Sequence, residues 1–429
     1  MADVINNTGA ESAKGRNYRL LLGGGALHIM GIQLGDFRSV LPWIAGTLGV
    51  APILIALIVP VTQLGQVFGQ LFIGPQIAML KRAKSALALT ELGSSIAIAF
   101  AAGFAALVNP HLGGLILIIS AGLFGVCWGL YTICHQDITA RVLTPQIRGV
   151  MMAKRAAAGG FLTMSATLGL HLFLPETLNN KTLLLWIALG LWLTAASFYS
   201  GIAESPKPPR EATSPLQELR RGIGLIRTEP WFGEFLIGRI WLLSIELALP
   251  FYTIHVALLG DPTAKDLVML VFAISAGLLI GGPVWGRLVP RNCQFAMTLG
   301  ALLVALAGTL TLLVDEVLRV DIPYFHVASF TLLSFGRQGV IQARTFFLAA
   351  QTPEHDRPIY ISIAESLMGV CGVGVALALG FAAQFTTIFN PLLCLIALNV
   401  TAAVFVSQVF GRSESTPGHP VSAPARPVP

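Results

Sequence analysis

The sequence contains few charged residues: Asp, Glu, Lys and Arg make up 11% of it, against about 25% in an average soluble chain. Hydrophobic residues make up 55%. A globule of this length has too little interior to bury that much apolar surface, so a soluble protein is excluded. A disordered chain is excluded as well, because disordered chains are polar and charged. We therefore expect an integral membrane protein.

Motifs for metal, nucleotide or catalytic chemistry are also missing. The five cysteines lie in or beside apolar runs without metal-ligand spacing, which predicts small core residues rather than disulfides. The chain has no glycine-rich nucleotide-binding loop, which argues against ATP-driven transport by this chain alone. A membrane enzyme would need clustered His, Asp and Glu, and His135-Gln136-Asp137 is the nearest approach. We expect neither an enzyme nor a cofactor or metal.

Twelve segments are long enough to be membrane helices, since a bilayer core needs about 20 apolar residues per crossing. Eight carry almost no charge, at residues 52–74, 85–107, 115–134, 156–174, 182–202, 267–286, 294–314 and 386–410. Four contain charged residues, at 18–43, 232–256, 323–348 and 359–384. The predicted fold class is an all-α membrane protein with twelve transmembrane helices.

Basic residues concentrate on one side of these spans. With a cytoplasmic N-terminus, 21 Lys and Arg lie inside and three lie in outside loops, namely Lys181, Lys265 and Arg319. The positive-inside rule then predicts that both termini are cytoplasmic, and a bacterial inner membrane is the expected location. The basic excess is a topology signal and a contact for anionic lipid, so no nucleic-acid partner is expected.

Three dipeptides recur at one offset of 208 residues. They are Leu41-Pro42 with Leu249-Pro250, Gly74-Pro75 with Gly282-Pro283, and Thr144-Pro145 with Thr352-Pro353. This register predicts two six-helix repeats with a site at their interface, a recurrent plan of secondary transporters. The expected divisions are a cytoplasmic tail (1–17), a first half (18–203), a cytoplasmic linker (204–230), a second half (231–410) and a disordered cytoplasmic tail (411–429).

Three loops carry recognisable motifs. The loop after span two keeps Gly74 and a basic cluster including Arg82 in a Gly-x-Leu-Ala-Asp-Arg-x-Gly-Arg-Arg pattern, with Ala78 at the acidic position. Its second copy keeps Gly282 and Arg287. The Thr-Pro-Gln-Ile-Arg-Gly segment at 144–149 is similar to a Pro-x-x-x-Arg-Gly loop. In these motifs and in its twelve spans the chain resembles the major facilitator superfamily over residues 18–410. The resemblance implies alternating access around a cavity lined by spans one, four, seven and ten.

Seven charged residues lie in the interior of the predicted spans, more than four residues from either end, and each is a functional candidate because a charge in the bilayer costs about 2.5–3.5 kcal/mol on insertion scales. They are Asp36, Arg38, Glu91, Arg239, Glu246, Arg337 and Glu365. Glu91 and Glu365 lie toward the predicted cytoplasmic ends, where we expect contacts with basic loops such as Lys154-Arg155.

Arg38 and Glu246 have opposite charges and share the 208-residue register. A twofold relation between the halves would bring them together across the outer part of the cavity. There they could form an ion pair that closes an extracellular gate. The alternatives are a permanent structural pair, or an Arg38 side chain that extends to the lipid headgroups.

Arg337 lies mid-span beside Gly336 and is the candidate anchor for an anionic substrate, since a guanidinium offers a fork of donors. The other predicted substrate-binding residues are Gln338, Gln342, Trp128 and Tyr131. The alternative is that Arg337 pairs with Glu246 or Asp36 and holds the halves together.

Proton coupling needs a group that titrates, and four residues qualify: Asp36, Glu246, Glu365 and His28. His28 follows three glycines in span one, and its alternative role is that of a satisfied core histidine. The predicted function is a permease that moves a small polar solute, anionic solutes included, with proton coupling. Its expected partners are the solute, a proton or other coupling ion, and membrane lipid, with the chain a monomer. A transport-inactive sensor or assembly factor on the same scaffold is the main alternative, and a polytopic membrane enzyme is the weaker one.

Overall fold

The computed structural model describes residues 2–74, 76, 82–104, 109–173, 180–204, 215–259, 263–320, 322, 324–352 and 357–413. The regular structure in these residues is helical. Several sequence predictions fall outside them: most of the loop signature (75 and 77–81), part of the linker (205–214), Pro353 of the repeat register, and the C-terminal tail from 414.

An N-terminal bundle and a C-terminal bundle are joined by one linker helix. The N-terminal bundle contains α1 (Ala2–Leu34), α2 (Val40–Thr47), α3 (Pro52–Phe68), α4 (Ala83–Phe104), α5 (Pro110–Val142), α6 (Pro145–Phe173) and α7 (Leu183–Ser200). The linker helix is α8 (Pro215–Thr228). The C-terminal bundle contains α9 (Pro230–Trp241), α10 (Leu243–Ala257), α11 (Ala264–Leu288), α12 (Cys293–Leu312), α13 (Phe325–Gln351), α14 (Arg357–Phe385) and α15 (Phe389–Ser413). Turns of π-helix extend α3 over Gly69–Ile73 and α12 over Leu313–Leu318.

Ten helical segments in the described residues are long and apolar enough to cross a membrane. Predicted spans one and ten are helical but do not meet that criterion. In span one the apolar stretch is divided because α1 ends at Leu34, whereas α13 carries Arg337, Arg344 and three glutamines. The count of twelve crossings stays a prediction.

Helix α1 begins at Ala2 and continues into predicted span one. It therefore runs through the predicted N-terminal tail (1–17), whose cytoplasmic assignment stays a prediction. Asn17 ties this part of α1 to the end of α7 by exchanging two hydrogen bonds with the backbone of Ala203, at 2.8 and 2.9 Å. Helix α15 likewise extends to Ser413, past the predicted boundary at 410.

Predicted spans one and seven are each broken into two helices. Between α1 and α2, the Asp36 carboxylate accepts hydrogen bonds from Ser39 Oγ (2.8 Å) and from the backbone N–H of Arg38 (3.2 Å). These bonds stabilise a turn in place of helix, as short polar side chains commonly do. Between α9 and α10, Ser244 Oγ donates to the carbonyl of Trp241 (2.9 Å) and to Asn399 Oδ1 (2.5 Å).

Corresponding helices pack together in the two bundles. Helices α3 and α4 pack on α5, and α4 and α1 pack on α7. In the C-terminal bundle α11 and α12 pack on α13, and α12 and α10 pack on α15. The bundles meet along α3 with α14 and along α6 with α11, and at one end α2 packs on α10.

Candidate functional site

A cavity of about 450 Å³ lies between the bundles, which is the size of a small-molecule site. It is lined by His28, Ile29, Ile32 and Gln33 of α1, Trp128, Tyr131, Thr132, His135 and Gln136 of α5, Met152 and Arg155 of α6, Leu278 of α11 and Gln338 of α13. The α5 and α6 residues lie near the connection between those two helices, at the end that the charge pattern predicts to be cytoplasmic. At the other end α2 packs on α10.

One wall of the cavity belongs to a histidine cluster, which consists of His28, Glu91, Tyr131, His135, Arg155 and Tyr199. The His28 ring stacks on Tyr131 with centroids 3.6 Å apart, and its Nδ1 lies 2.7 Å from Glu91 Oε1. Arg155 Nη1 donates to the Tyr131 hydroxyl (3.0 Å) and to His135 Nε2 (2.6 Å). Because a guanidinium only donates, His135 accepts and is a neutral imidazole.

The three glycines before His28 make room for this cluster. A Cβ on Gly25 would lie 2.3 Å from Arg155 Cδ, and one on Gly24 would lie 2.9 Å from a ring carbon of Tyr199. Any larger residue at these positions would collide with the cluster, so the glycines allow α6 and α7 to pack closely against α1.

A second group of charges, the arginine network, consists of five residues of the C-terminal bundle and one of the N-terminal bundle: Arg239, Glu246, Arg337, Arg344 and Glu365, with Arg38. The buried Glu246 carboxylate contacts Arg337 (2.8 Å) and Arg344 (2.9 Å) of α13. Arg38 reaches it from the N-terminal bundle, with 3.9 Å between Arg38 Nη1 and Glu246 Oε2. Arg239 pairs with Glu365 at 2.9 Å. Four guanidinium groups thus share two glutamates.

The predicted substrate-binding residues separate into two groups. Trp128, Tyr131 and Gln338 line the cavity, whereas in the described part of the chain Gln342 does not. Arg337 is buried against Glu246. This contact favours the partner role for Arg337 over direct substrate binding.

Helix packing accounts for the glycines around Arg337. A Cβ on Gly336 would lie 2.7 Å from the carbonyl oxygen of Gly300, and one on Gly339 would lie 2.5 Å from the Trp285 ring. These glycines therefore admit α12 and a tryptophan of α11 rather than a solute.

The candidate proton-coupling and gate residues lie in different surroundings. Arg38 and Glu246 are in contact, but whether the pair is a gate stays a prediction. Asp36 is engaged in the turn between α1 and α2. Glu365 pairs with Arg239 on α9, so its expected contact with a basic loop is wrong. His28 lines the cavity and contacts Glu91.

The loop-signature residues differ in burial. Gly74 follows the π-helical turn that extends α3 and is buried, whereas Arg82 and Arg287 are exposed. A Cβ on Gly282 would have no atom within 4 Å. The chain supplies a buried carboxylate near this loop from another segment, because Glu204 accepts from the backbone N–H groups of Ala83 and Lys84, both at 3.0 Å.

Sequence analysis missed two site residues. Arg155 and Arg344 were counted among basic residues at the cytoplasmic side, yet both lie on helices with their guanidinium groups inside the protein. Glu91 was a functional candidate with an expected contact to a basic loop such as Lys154-Arg155; its carboxylate lies 2.7 Å from His28 Nδ1, and the charge of Arg155 also acts on it. The Gly23-Gly24-Gly25 run was the available signal, since a small-residue face on α1 predicts close packing of large side chains. The described residues contain no group of three His, Cys, Asp or Glu that could hold a metal ion.

The family model of the major facilitator superfamily matches residues 21–316. The chain belongs to the major facilitator superfamily. It is therefore an integral, multi-pass membrane protein of a transporter family. This membership confirms the resemblance inferred from the loop motifs.

Two relatives share 26% identity with the chain over 402 residues, which cover 90% of this chain and 75% of each relative. They are "Uncharacterized protein Rv2209" of Mycobacterium tuberculosis and "Uncharacterized protein Mb2232" of Mycobacterium bovis. Neither name states a substrate.

Solved structures with the same fold are transporters. A D-xylose-proton symporter aligns with a TM-score of 0.67 at 14% identity, covering 91% of this chain and 97% of its own. The nucleoside transporter NupG aligns with a TM-score of 0.64 at 13% identity, covering 92% of this chain and 99% of its own. A POT family transporter in complex with 5-aminolevulinic acid aligns with a TM-score of 0.68 at 13% identity, covering 94% of this chain and 97% of its own. At these identities the likeness concerns the fold alone. Fold and family together support a secondary transporter.

Proposed function

We propose that the chain is a secondary active transporter that moves a small polar solute by alternating access. The observation that carries this proposal is the cavity lined by both bundles, with the bundles packed together beyond it through α2 and α10. Ser275 Oγ also donates across the interface to Gln33 Oε1 at 2.8 Å, next to the cavity. A cavity reached from one side and sealed on the other is what alternating access requires.

The proposed architecture is two six-helix repeats with twelve crossings and both termini in the cytoplasm of a bacterial inner membrane. The matching helix pairs in the two bundles support the repeat. The dipeptide register and the 21 inside against three outside basic residues support the count and the orientation. In this orientation the cavity faces the cytoplasm.

An anionic solute is proposed because guanidinium groups outnumber carboxylates around the space between the bundles. The arginine network has four arginines and two glutamates, and Asp36 beside Arg38 brings the carboxylates to three. Arginine stays charged at any working pH. Such an excess raises the local concentration of anions in a cleft.

Arg38 and Glu246 are proposed to form part of the outer closure. They belong to different bundles, their charges are opposite, and the Arg38 side chain keeps 30% of its surface exposed. A contact at 3.9 Å with a partly hydrated guanidinium can break when the bundles separate, whereas the closer pairs of Glu246 with Arg337 and Arg344 stay within one bundle.

The proposal is tested by uptake into proteoliposomes that contain the purified protein. A set of radiolabelled sugars, nucleosides and carboxylates is offered with and without an inward proton gradient, and protein-free liposomes are the control. We expect saturable uptake of one chemical class, accelerated by the gradient. The absence of uptake for every class, by protein that is folded and correctly inserted, would favour the sensor or assembly-factor alternative.

A further inference from the structure

Arg155 differs from the arginines of the arginine network in having no close counter-ion. Each arginine of the arginine network contacts a glutamate. Among the described residues no carboxylate oxygen lies within 4.0 Å of the Arg155 guanidinium. Its described partners are the neutral Tyr131 hydroxyl and the neutral His135 ring. A cation that lines a cavity under these conditions is a site for an anion.

Glu91 lies in the same cluster but is sealed from the cavity. Its side chain is 0% exposed, and in the described part of the protein neither of its oxygens accepts a hydrogen bond, although Oε1 lies 2.7 Å from His28 Nδ1. It is surrounded by His28 from α1, Cys127 and Tyr131 from α5, Arg155 from α6 and Tyr199 from α7. Of these, His28 both lines the cavity and touches the carboxylate. A proton from the cavity can therefore reach Glu91 by way of the His28 imidazole.

We propose that Arg155 binds the carboxylate of the transported solute and that Glu91 takes up the accompanying proton through His28. This inference rests on the proposed transport function. When Glu91 is ionised and no solute is bound, the charges of Arg155 and Glu91 cancel within the cluster. A bound carboxylate would leave one uncompensated negative charge in a poorly solvated place, which is costly. A proton that binds to Glu91 as the solute binds to Arg155 restores neutrality, so one proton travels with each carboxylate.

The other residues that line the cavity indicate which further chemical groups the solute carries. Trp128 and Tyr131 offer ring faces, while Gln33, Gln136 and Gln338 offer amide donors and acceptors. A compact monocarboxylate with further hydroxyl or amide groups fits this lining. Arg337 does not compete for the carboxylate, because Glu246 occupies its guanidinium.

Paired solutes test the carboxylate. Uptake into proteoliposomes is measured for small monocarboxylates, each matched with the alcohol in which CH₂OH replaces the carboxylate, beginning with gluconate and sorbitol. We expect uptake of carboxylates alone, driven by an inward proton gradient and unaffected by a potassium–valinomycin potential. Transport of the alcohols as fast as the acids would overturn the inference and leave the transport function standing. Absence of uptake for both classes and for every other solute offered would contradict the transport function itself.

Two variants test Arg155. Arg155→Lys keeps the charge and loses the fork, and Gly25→Ala keeps every charge but pushes on the Arg155 stem. Both should raise KM for the carboxylate by about tenfold or more, with little change in maximal rate. Lys154→Ala, at an exposed neighbour, and Gly190→Ala, where a Cβ meets no atom within 4 Å, are the matched controls. An unchanged KM in Gly25→Ala and in Arg155→Lys removes Arg155 from the site.

Glu91→Gln tests the proposed uptake of the coupled proton by Glu91. The variant should still exchange carboxylate at equilibrium but should lose accumulation driven by the proton gradient, and its uptake should become sensitive to membrane potential because the anion now travels alone. His28→Phe keeps a ring on Tyr131 without a relay and should also lose accumulation, which provides a second variant if Glu91→Gln folds poorly. Gradient-driven, electroneutral accumulation by either folded variant would overturn the assignment.

Discussion

Three guanidinium groups contact Glu246, and this number changes what the pair with Arg38 can do. A lone ion pair between the bundles would tolerate reversal of its charges. Here Arg337 and Arg344 lie closer to the carboxylate than Arg38 does. Loss of Glu246 therefore leaves three arginines without their carboxylate partner, whereas loss of Arg38 leaves Glu246 with two arginine partners.

We expect unequal effects from the two single changes. Glu246→Ala should destabilise the folded protein by about 3–5 kcal/mol, the usual result of removing one partner of a buried ion pair. Arg38→Ala should cost about 1 kcal/mol or less, because the Arg38 side chain is partly exposed. Thermal unfolding in detergent measures both. The exchange of Arg38→Glu with Glu246→Arg should not restore activity, since it places a new arginine against Arg337 and Arg344.

Equal losses of stability from the two single changes would contradict this account of Glu246. So would full recovery of transport by the exchange at matched expression. Either result would mean that Arg337 and Arg344 are not the principal partners of Glu246.

The pair of Arg38 with Glu246 was predictable from the sequence, and the inward-facing arginines Arg155 and Arg344 were not. The 208-residue offset identified Arg38 with Glu246 because a duplicated fold relates equivalent positions. Arg155 escaped because a hydropathy run locates the apolar part of a helix but not its ends: α6 begins at Pro145, and Arg155 precedes the expected span at 156–174. Arg344 lies inside the expected span at 323–348 but was counted with the basic residues of its cytoplasmic end.

At the scale of elements, a carboxylate that follows one predicted span accepts hydrogen bonds from the N-terminus of another helix. Glu204, after α7, accepts from the first backbone N–H groups of α4 and from Arg141 Nη1 at 2.7 Å. Carboxylates are favourable at a helix N-terminus, where N–H groups lack partners. Arg141 also pairs with Asp137 in the same helix.

Glu204→Gln should lower the free energy of unfolding by about 1–3 kcal/mol, because the amide accepts fewer bonds and loses the ion pair. Glu204→Ala should cost more. Thermal unfolding in detergent is the measurement, and Glu229→Gln, where the side chain contacts only Trp231 in the described residues, is a control. A melting temperature for Glu204→Gln equal to that of the control would contradict the proposed role.

The positions of most helices were predictable from hydropathy, and their interruptions were not. The runs at 52–74 and 294–314 correspond to α3 and α12, yet the π-helical turns that extend them depend on packing rather than composition. Similarly, the break after Leu34 arises from hydrogen bonds of Asp36 with Ser39 and Arg38. Such local bonds compete with helix through geometry that an apolar run does not record.

At the scale of the whole molecule, the charge asymmetry predicts the orientation. On a background without native cysteines, Lys181→Cys should react with a membrane-impermeant thiol reagent added outside intact cells. Arg291→Cys, at an exposed position, should react only after the membrane is opened. Labelling of position 291 from outside would contradict the proposed cytoplasmic side of the cavity and the odd number of crossings between these sites.

Alternating access is the central claim, and the contact between α2 and α10 allows a direct test. A Cβ on Gly46 would lie 3.5 Å from the Cβ of Ala257 in the other bundle, which matches the separation across a disulfide. Gly46→Cys combined with Ala257→Cys, without the native cysteines, should cross-link on oxidation and hold this end closed. Each single-cysteine variant, treated in the same way, is the control.

The decisive measurement is solute uptake by this double variant before oxidation, after oxidation and after reduction. The account predicts uptake in the reduced protein, a fall to the level of protein-free liposomes when the disulfide forms, and recovery when it is reduced. Undiminished uptake by fully cross-linked protein would show that the end joined by α2 and α10 does not open during transport, and would contradict alternating access as described.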